Sequence, residues 1–423
     1  MVEKNKLKIS IEISRKWDGE HVSKEIAEKI NKKMSSPKII FLFTTIHYED
    51  EFKKILDGIK KNFPKSPLIG GTVAGFMTPE GCFTRGVSTV AIEYPNMEVS
   101  IGIGKNTKRN PIKAVEQCSK MIKSNIENKY PNKILFPFSS AGVVPKISGL
   151  GQKRVILSSK IASTVIKTMS FLNRFQFGPG REDEILEELI KNFNDYYIIG
   201  GSTVDDNRWE KNFQFFEQEI HTHSIVACCI NTDLNWNVES KYGLIPTNIK
   251  MKITDTTLYG CIVKSIENEH ASKKFLKKVN WPKEFFDENL YRRTLYYPIC
   301  FKINGKYHPR VIGTILGDYI GFTNKALADE GQIFIASGKS LMNSVTDVLC
   351  RFDKERTKFG FIISCTARLE TLSNGIFQIY NILNNHYENK PYIVIYLSGE
   401  DIRRPNEKTI RQNESFNVLN FSK

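Results

Sequence analysis

The sequence lacks any run of apolar residues near the roughly 18–20 needed to cross a bilayer. Its apolar runs, such as Ile39–Phe43 and Tyr392–Leu397, have the length of strands. Paired cysteines are missing too. The eight cysteines, at 82, 118, 228, 229, 261, 300, 350 and 365, show no C-x-x-C spacing, which speaks against a disulfide scaffold or a structural zinc site. Histidine is scarce, seven in 423 residues. Its one close pair, His221-Thr222-His223, lies where a polar hairpin turn is expected and has no third ligand near it, so no metal site is expected. The opening MVEKNKLKISIEIS alternates charged with apolar residues, unlike a secretory leader. Nucleotide fingerprints are incomplete: Ser337-Gly338-Lys339-Ser340 has Ile333 where a P-loop needs glycine, and Gly102-Ile103-Gly104 lacks a third glycine. The expectation is a soluble cytoplasmic protein with no membrane insertion, no metal and no cofactor.

Charge of one sign is in excess, with a formal net charge of +15. The lysines are nevertheless interleaved with Glu, Asn and Asp. The densest clusters, Lys273-Lys274 with Lys277-Lys278 and Arg403-Arg404, are short, and neither carries the repeated aromatic interleaving of a single-strand binding surface. This reads as a solvated basic surface rather than a specific nucleic-acid site. With 40% hydrophobic and 25% charged residues the chain has enough apolar surface for ordinary cores. Its 423 residues predict two or three domains.

Leu7, Ile9, Ile11 and Ile13 alternate like a half-buried strand, and Val22, Ile26, Ile30 and Met34 form one helical stripe. A unit then recurs three times: an apolar β-rich run ending in small polar residues, a helix, and a second run ending at glycine. Its copies are Ile39–Thr45 through Leu68-Ile69-Gly70-Gly71-Thr72, Ile134–Ser140 through Ile198-Ile199-Gly200-Gly201-Ser202, and Gly360–Thr366 through Tyr392–Leu397 and Ser398-Gly399-Glu400. Buried strands alternating with helices predict βαβ units, while 85–93, 98–103, 213–219 and 224–230 read as antiparallel strands. The fold class is therefore mixed α/β: two domains of βαβ-like units with mixed parallel and antiparallel sheets. Their expected bounds are an extension at 1–35, then 36–255 and 256–423. Residues 231–260 read as the passage between domains, and 265–293 as a charged helical stretch.

Glycine at a strand end admits close approach of a ligand to the backbone, and ligands of open α/β sheets sit beyond the strands' carboxyl ends. This makes Gly70, Gly71, Thr72, Gly200, Gly201 and Ser202 candidates, with Asp205 a possible cation or amine ligand or a plain turn former. At the C-terminal end, Cys365 and Arg368 follow a buried strand, and Glu400 follows Ser398 and Gly399. The guanidinium of Arg368 suits a ligand carboxylate, and Glu400 is its expected partner. Either they line a pocket or they form a salt bridge pinning two strand ends. Catalysis by Cys365 would need a base, and no histidine lies in its segment.

These motifs resemble the FIST family of intracellular signal-transduction proteins. The resemblance rests on Ile39–Phe43, Leu68–Gly75 and Ile199–Thr203, on Lys241–Pro246 with Ile253-Thr254, and on Tyr297-Pro298, Arg310, Ser364-Cys365 with Arg368, Ser398–Glu400 and Gln412-Asn413. It implies a FIST N-terminal and a FIST C-terminal domain forming a sensory module that binds a small ligand such as an amino acid or related metabolite, with Asn413 joining the candidate residues. It implies no established reaction. No kinase, cyclase or other output region accompanies it, so a signalling partner would be a separate protein. A Cys365-dependent enzyme and an interaction scaffold are the alternatives.

Overall fold

The computed structural model describes residues 6–144, 146–147, 151–172 and 178–422. The three recurring units each fold as a parallel strand pair joined through a helix. The pairs are Ile39–Thr44 with Leu68–Thr72, Asn132–Ser140 with Tyr197–Thr203, and Thr357–Cys365 with Tyr392–Leu397. Their long side chains are apolar on both faces because each pair is covered on both sides, the condition for a buried parallel ladder. The helices Phe52–Asn62, Glu182–Asn192 and Ile376–Tyr387 each turn an apolar stripe inward.

Each pair is extended on one side by two antiparallel strands, the inner one following the pair in sequence (Val87–Glu93, Ser224–Thr232, Phe416–Ser422) and the outer one preceding it (Lys8–Ser14, Met97–Lys105, Asn235–Lys241). On the other side it accepts a strand from a different unit, in cyclic order. Gln214–Phe216, which follows the second pair, lies against Leu68–Thr72 of the first; Glu400–Arg403, after the third, lies against Tyr197–Thr203 of the second; Gly75–Thr78, after the first, lies against Tyr392–Leu397 of the third. The outcome is three interlocked sheets around a common core. At its centre Phe41, Phe136 and Phe361, one from the first strand of each unit, meet with ring centroids 5.1, 5.2 and 5.7 Å apart. These tilted contacts are the preferred aromatic geometry. The N-terminal strand Lys8–Ser14 belongs to the first sheet through Val87–Glu93.

A fourth, nine-stranded sheet, mainly from residues 245–335, stands beside this core and takes in the short strand Val155–Ile156. Two local readings change. Residues 231–260 are mostly two strands, Asn235–Lys241 and Ile245–Thr257. The 265–293 stretch is broken into the short helices Ala271–Lys278 and Leu290–Thr294 with a 3-10 turn at Lys283–Phe285 between them, because Asn280 takes positive φ and Pro282 cannot continue a helix. Ser337 caps the helix Gly338–Leu349, its hydroxyl accepting the Ser340 N–H. Among the described residues no helix is long and apolar enough to cross a membrane.

Candidate functional site

Gly70-Gly71 and Gly200-Gly201 lie inside strands rather than in turns. A Cβ on Gly70 would stand 1.8 Å from the Leu42 carbonyl oxygen, and one on Gly200 would stand 2.0 Å from that of Pro137. Their absence of side chain lets paired strands close up, so they set strand spacing. Thr72 and Ser202 are likewise committed: Thr72 Oγ1 accepts the Phe213 N–H at 3.0 Å, and Ser202 Oγ accepts from Arg411. Gly399 is a true turn, with φ of 79°. Its carbonyl accepts the Ser202 N–H and an Arg411 N–H, tying the third unit to the second.

The charged candidates also separate. Arg368 is fully buried and donates to the carbonyls of Tyr242, Glu414 and Leu341 and to Ser344 Oγ. Glu400 is elsewhere engaged: its Oε2 accepts the N–H and O–H of Ser415 at 3.2 and 2.7 Å. The expected Arg368–Glu400 bridge does not form, because Glu400 is carried into the second sheet opposite Gly201. Burial pushes the Glu400 carboxyl up to about 7 and that of Glu414, near Arg368, up to about 8. Asp205 accepts the N–H groups of Trp209, Glu210 and Lys211 and thereby shapes the loop that presents Trp209.

The strand ends do meet at a cleft, between the second and third units and the nine-stranded sheet. It is a narrow space, partly open to solvent, with a mainly apolar lining. Val143, Val144, Val165, Met169, Trp209 and Ile156 line it from the first half of the chain; Ile262, Thr314, Leu316, Phe322, Asn324 and Ser398 line it from the second. A smaller cavity shares Trp209, Thr323 and Ser398 with it, and adds Cys365, Gly399 and Asn413. Four of the candidates, Cys365, Ser398, Gly399 and Asn413, are thus brought to this place. Trp209 is wedged over Gly313, where a Cβ would meet its ring at 2.2 Å, and the Arg154 guanidinium stacks on it at 4.5 Å. Cys365 is buried, and desolvation pushes its thiol well above the ordinary cysteine value. A protonated thiol is a poor nucleophile, and among the described residues no histidine lines either cavity.

The floor holds a residue the sequence did not single out. Glu182, the first residue of the helix Glu182–Asn192, is 3% exposed. Its Oε1 accepts the Gly142 N–H at 3.1 Å, and its Oε2 is buried without a hydrogen-bond partner. Gly180 makes this possible, since a Cβ there would lie 2.1 Å from the carboxylate. Burial pushes the Glu182 pKa upward, with Arg411 and Lys108 opposing. The available signal was a carboxylate two residues after Gly178-Pro179-Gly180, which reads equally as an acidic helix start.

The FIST N domain family matches residues 38–269, more than half of the chain. The chain belongs to the FIST family. FIST domains are sensory and signal-transduction domains. The chain is also similar to the uncharacterized protein MJ1623 of Methanocaldococcus jannaschii, 23% identical over 370 residues, covering 84% of this chain and 65% of that relative's length. Two solved structures of cyanuric acid hydrolase align over nearly the whole FIST chain. One, from A. caulinodans, has a TM-score of 0.41 at 4% identity, covering 99% of this chain and 100% of that one. The other has 0.33 at 8%, covering 98% and 100%. At these scores they carry nothing about chemistry.

Proposed function

We propose that this FIST protein is a cytoplasmic sensor that binds a small metabolite in the cleft between its second and third units and signals to a separate protein. One observation carries the reading: a cleft whose walls come from both halves of the chain. A ligand there touches strand ends of two interlocked sheets and the nine-stranded sheet at once. Binding energy is then available to change how these parts sit together, which is what a sensor requires. Cys365, Ser398, Gly399 and Asn413 contribute to the ligand surroundings, whereas Gly70, Gly71, Thr72, Gly200, Gly201, Ser202, Asp205, Arg368 and Glu400 serve by holding the frame.

The test is a thermal-shift screen of amino acids, amines, organic acids and nucleotides. A ligand that prefers the folded state raises the melting temperature as its concentration exceeds Kd. At least one compound is expected to do so, and Val165→Phe, which fills the cleft from the helix Ser159–Leu172, is expected to abolish the shift. A screen without a single shift, or shifts indifferent to Val165→Phe, overturns the reading.

A further inference from the structure

The cleft has a chemical bias that the candidate residues did not suggest. Its wall is chiefly apolar, from Val165, Met169, Ile156, Leu316 and Phe322, while its floor carries one carboxylate. That carboxylate is held in a fixed place. Gly142 binds Oε1, Gly180 leaves room for the head group, and Oε2 has no hydrogen-bond partner. A buried acceptor without a partner is costly, the more so when charged. A donor arriving with the ligand would remove that cost.

Among the lining residues, recognition of the opposite sign has no comparable provision; the buried cations that act on Glu182, Arg411 and Lys108, lie outside the lining. Among the described lining residues the one basic side chain is Lys153, at the rim, 47% exposed and 3.2 Å from Glu288. The buried arginines nearby are used by the protein itself: Arg310 by Asp183 and three carbonyls, Arg411 by Asp401, Ser202 and the carbonyls of Ser398 and Gly399. Neither lines the cleft.

Resting on the sensor reading above, we infer that the ligand is an apolar amine, a hydrophobic body with one cationic N–H donor group, whose nitrogen is read by Glu182 Oε2. An ammonium has three donors. Thr314, Thr323 and Ser398 are lining residues with hydroxyl or carbonyl oxygens able to take the remaining two. Glu182 stands at the first position of its helix, where the free N–H groups favour the ionised carboxylate. The cation of the ligand acts in the same direction against burial.

Two matched sets of probes test this by calorimetry and thermal shift: phenethylamine, 3-phenylpropionate and phenylalanine, and tryptamine, indole-3-propionate and tryptophan. Within each set the amine is expected to bind at least tenfold more tightly than the acid and the zwitterion. Glu182→Gln keeps the shape and the Gly142 contact but removes the charge, and is expected to cost the amines at least tenfold while moving the acids little or in their favour. Should that variant fail to fold, the order of affinities within the wild-type sets decides alone. An acid or amino acid that binds as tightly as its amine overturns the inference and leaves the cleft reading standing, as does an unchanged order in Glu182→Gln. If no amine of either set binds, the inference fails, while the cleft reading is decided by the wider screen and Val165→Phe.

Discussion

Arg310, Arg368 and Arg411 are the largest fully buried side chains among the described residues. Each spends its fork of N–H donors on carbonyls or carboxylates that would otherwise be buried unpaired. Arg411 joins most parts: Asp401 through two bonds of 2.7 and 2.9 Å, Ser202 of the second unit, and the turn carbonyls of Ser398 and Gly399. Arg411→Met is therefore expected to destabilise by about 3–5 kcal/mol, because Asp401 is left buried and unpaired. Urea midpoints at constant slope measure it. Arg411→Lys should recover little, since a point charge cannot reproduce the fork. The double variant Arg411→Met with Asp401→Asn should be less damaged than the sum of its parts. The exposed Lys53–Asp57 pair is the control; its removal should cost no more than about 0.5 kcal/mol. A D401N/R411M double variant equal to the sum would show that the pair is not coupled.

At the scale of elements, the glycines separate two uses that a sequence cannot tell apart. Gly200 has the Pro137 carbonyl where its Cβ would be, whereas a Cβ on Gly338, at the start of a helix, would meet nothing within 4 Å. Gly200→Ala must push two paired strands apart and is expected to lower the melting temperature by well over ten degrees or prevent folding. Gly338→Ala should be neutral or stabilising by up to about 1 kcal/mol, the helix preference of alanine over glycine. Equal effects at both sites would refute the strand-spacing role. The threefold recurrence was legible because Ile39–Thr44, Asn132–Ser140 and Thr357–Cys365 are each short, apolar and followed by a helical stripe. The exchange of strands between units was not, since Gly75–Thr78 and Glu400–Arg403 are four-residue strands whose partners lie far away in sequence. The site suffered for the same reason. Cys365, Ser398, Gly399 and Asn413 sit at ends of recognisable elements, but the cleft wall draws Val165, Leu316 and Phe322 from separate elements. No spacing within one element records that they converge.

For the molecule as a whole, interlocking three sheets around one core puts ionisable groups in places that fix how stability follows pH. Burial lowers His223, His308 and His386 to about 4. Each is depressed below its unfolded value near 6.5, so its contribution is complete above that pH and is lost as pH falls toward 4. Glu400 and Glu414 are raised, so theirs is present below about 4.5 and lost as pH rises through 7 and 8. Lys108, lowered to about 7, opposes this by gaining above that value. The neutral region is then nearly level. Beyond it the buried cysteines Cys118, Cys228, Cys229, Cys261, Cys300 and Cys365 dominate, all with thiols raised by desolvation. Once pH passes 9 the unfolded chain releases those protons and the folded one does not. Each such thiol then costs about 1.4 kcal/mol per pH unit, and the six together roughly 8, comparable to the whole stability of a domain. Urea unfolding under reducing conditions is expected to show stability climbing from pH 4 to about 6.5, a plateau to about 8.5, and a steep fall by pH 10. Replacing Cys228 and Cys229 by alanine should make the alkaline limb shallower by about a third even as it lowers the plateau through lost packing. An alkaline limb of unchanged slope in that variant would place its origin elsewhere than in the buried thiols.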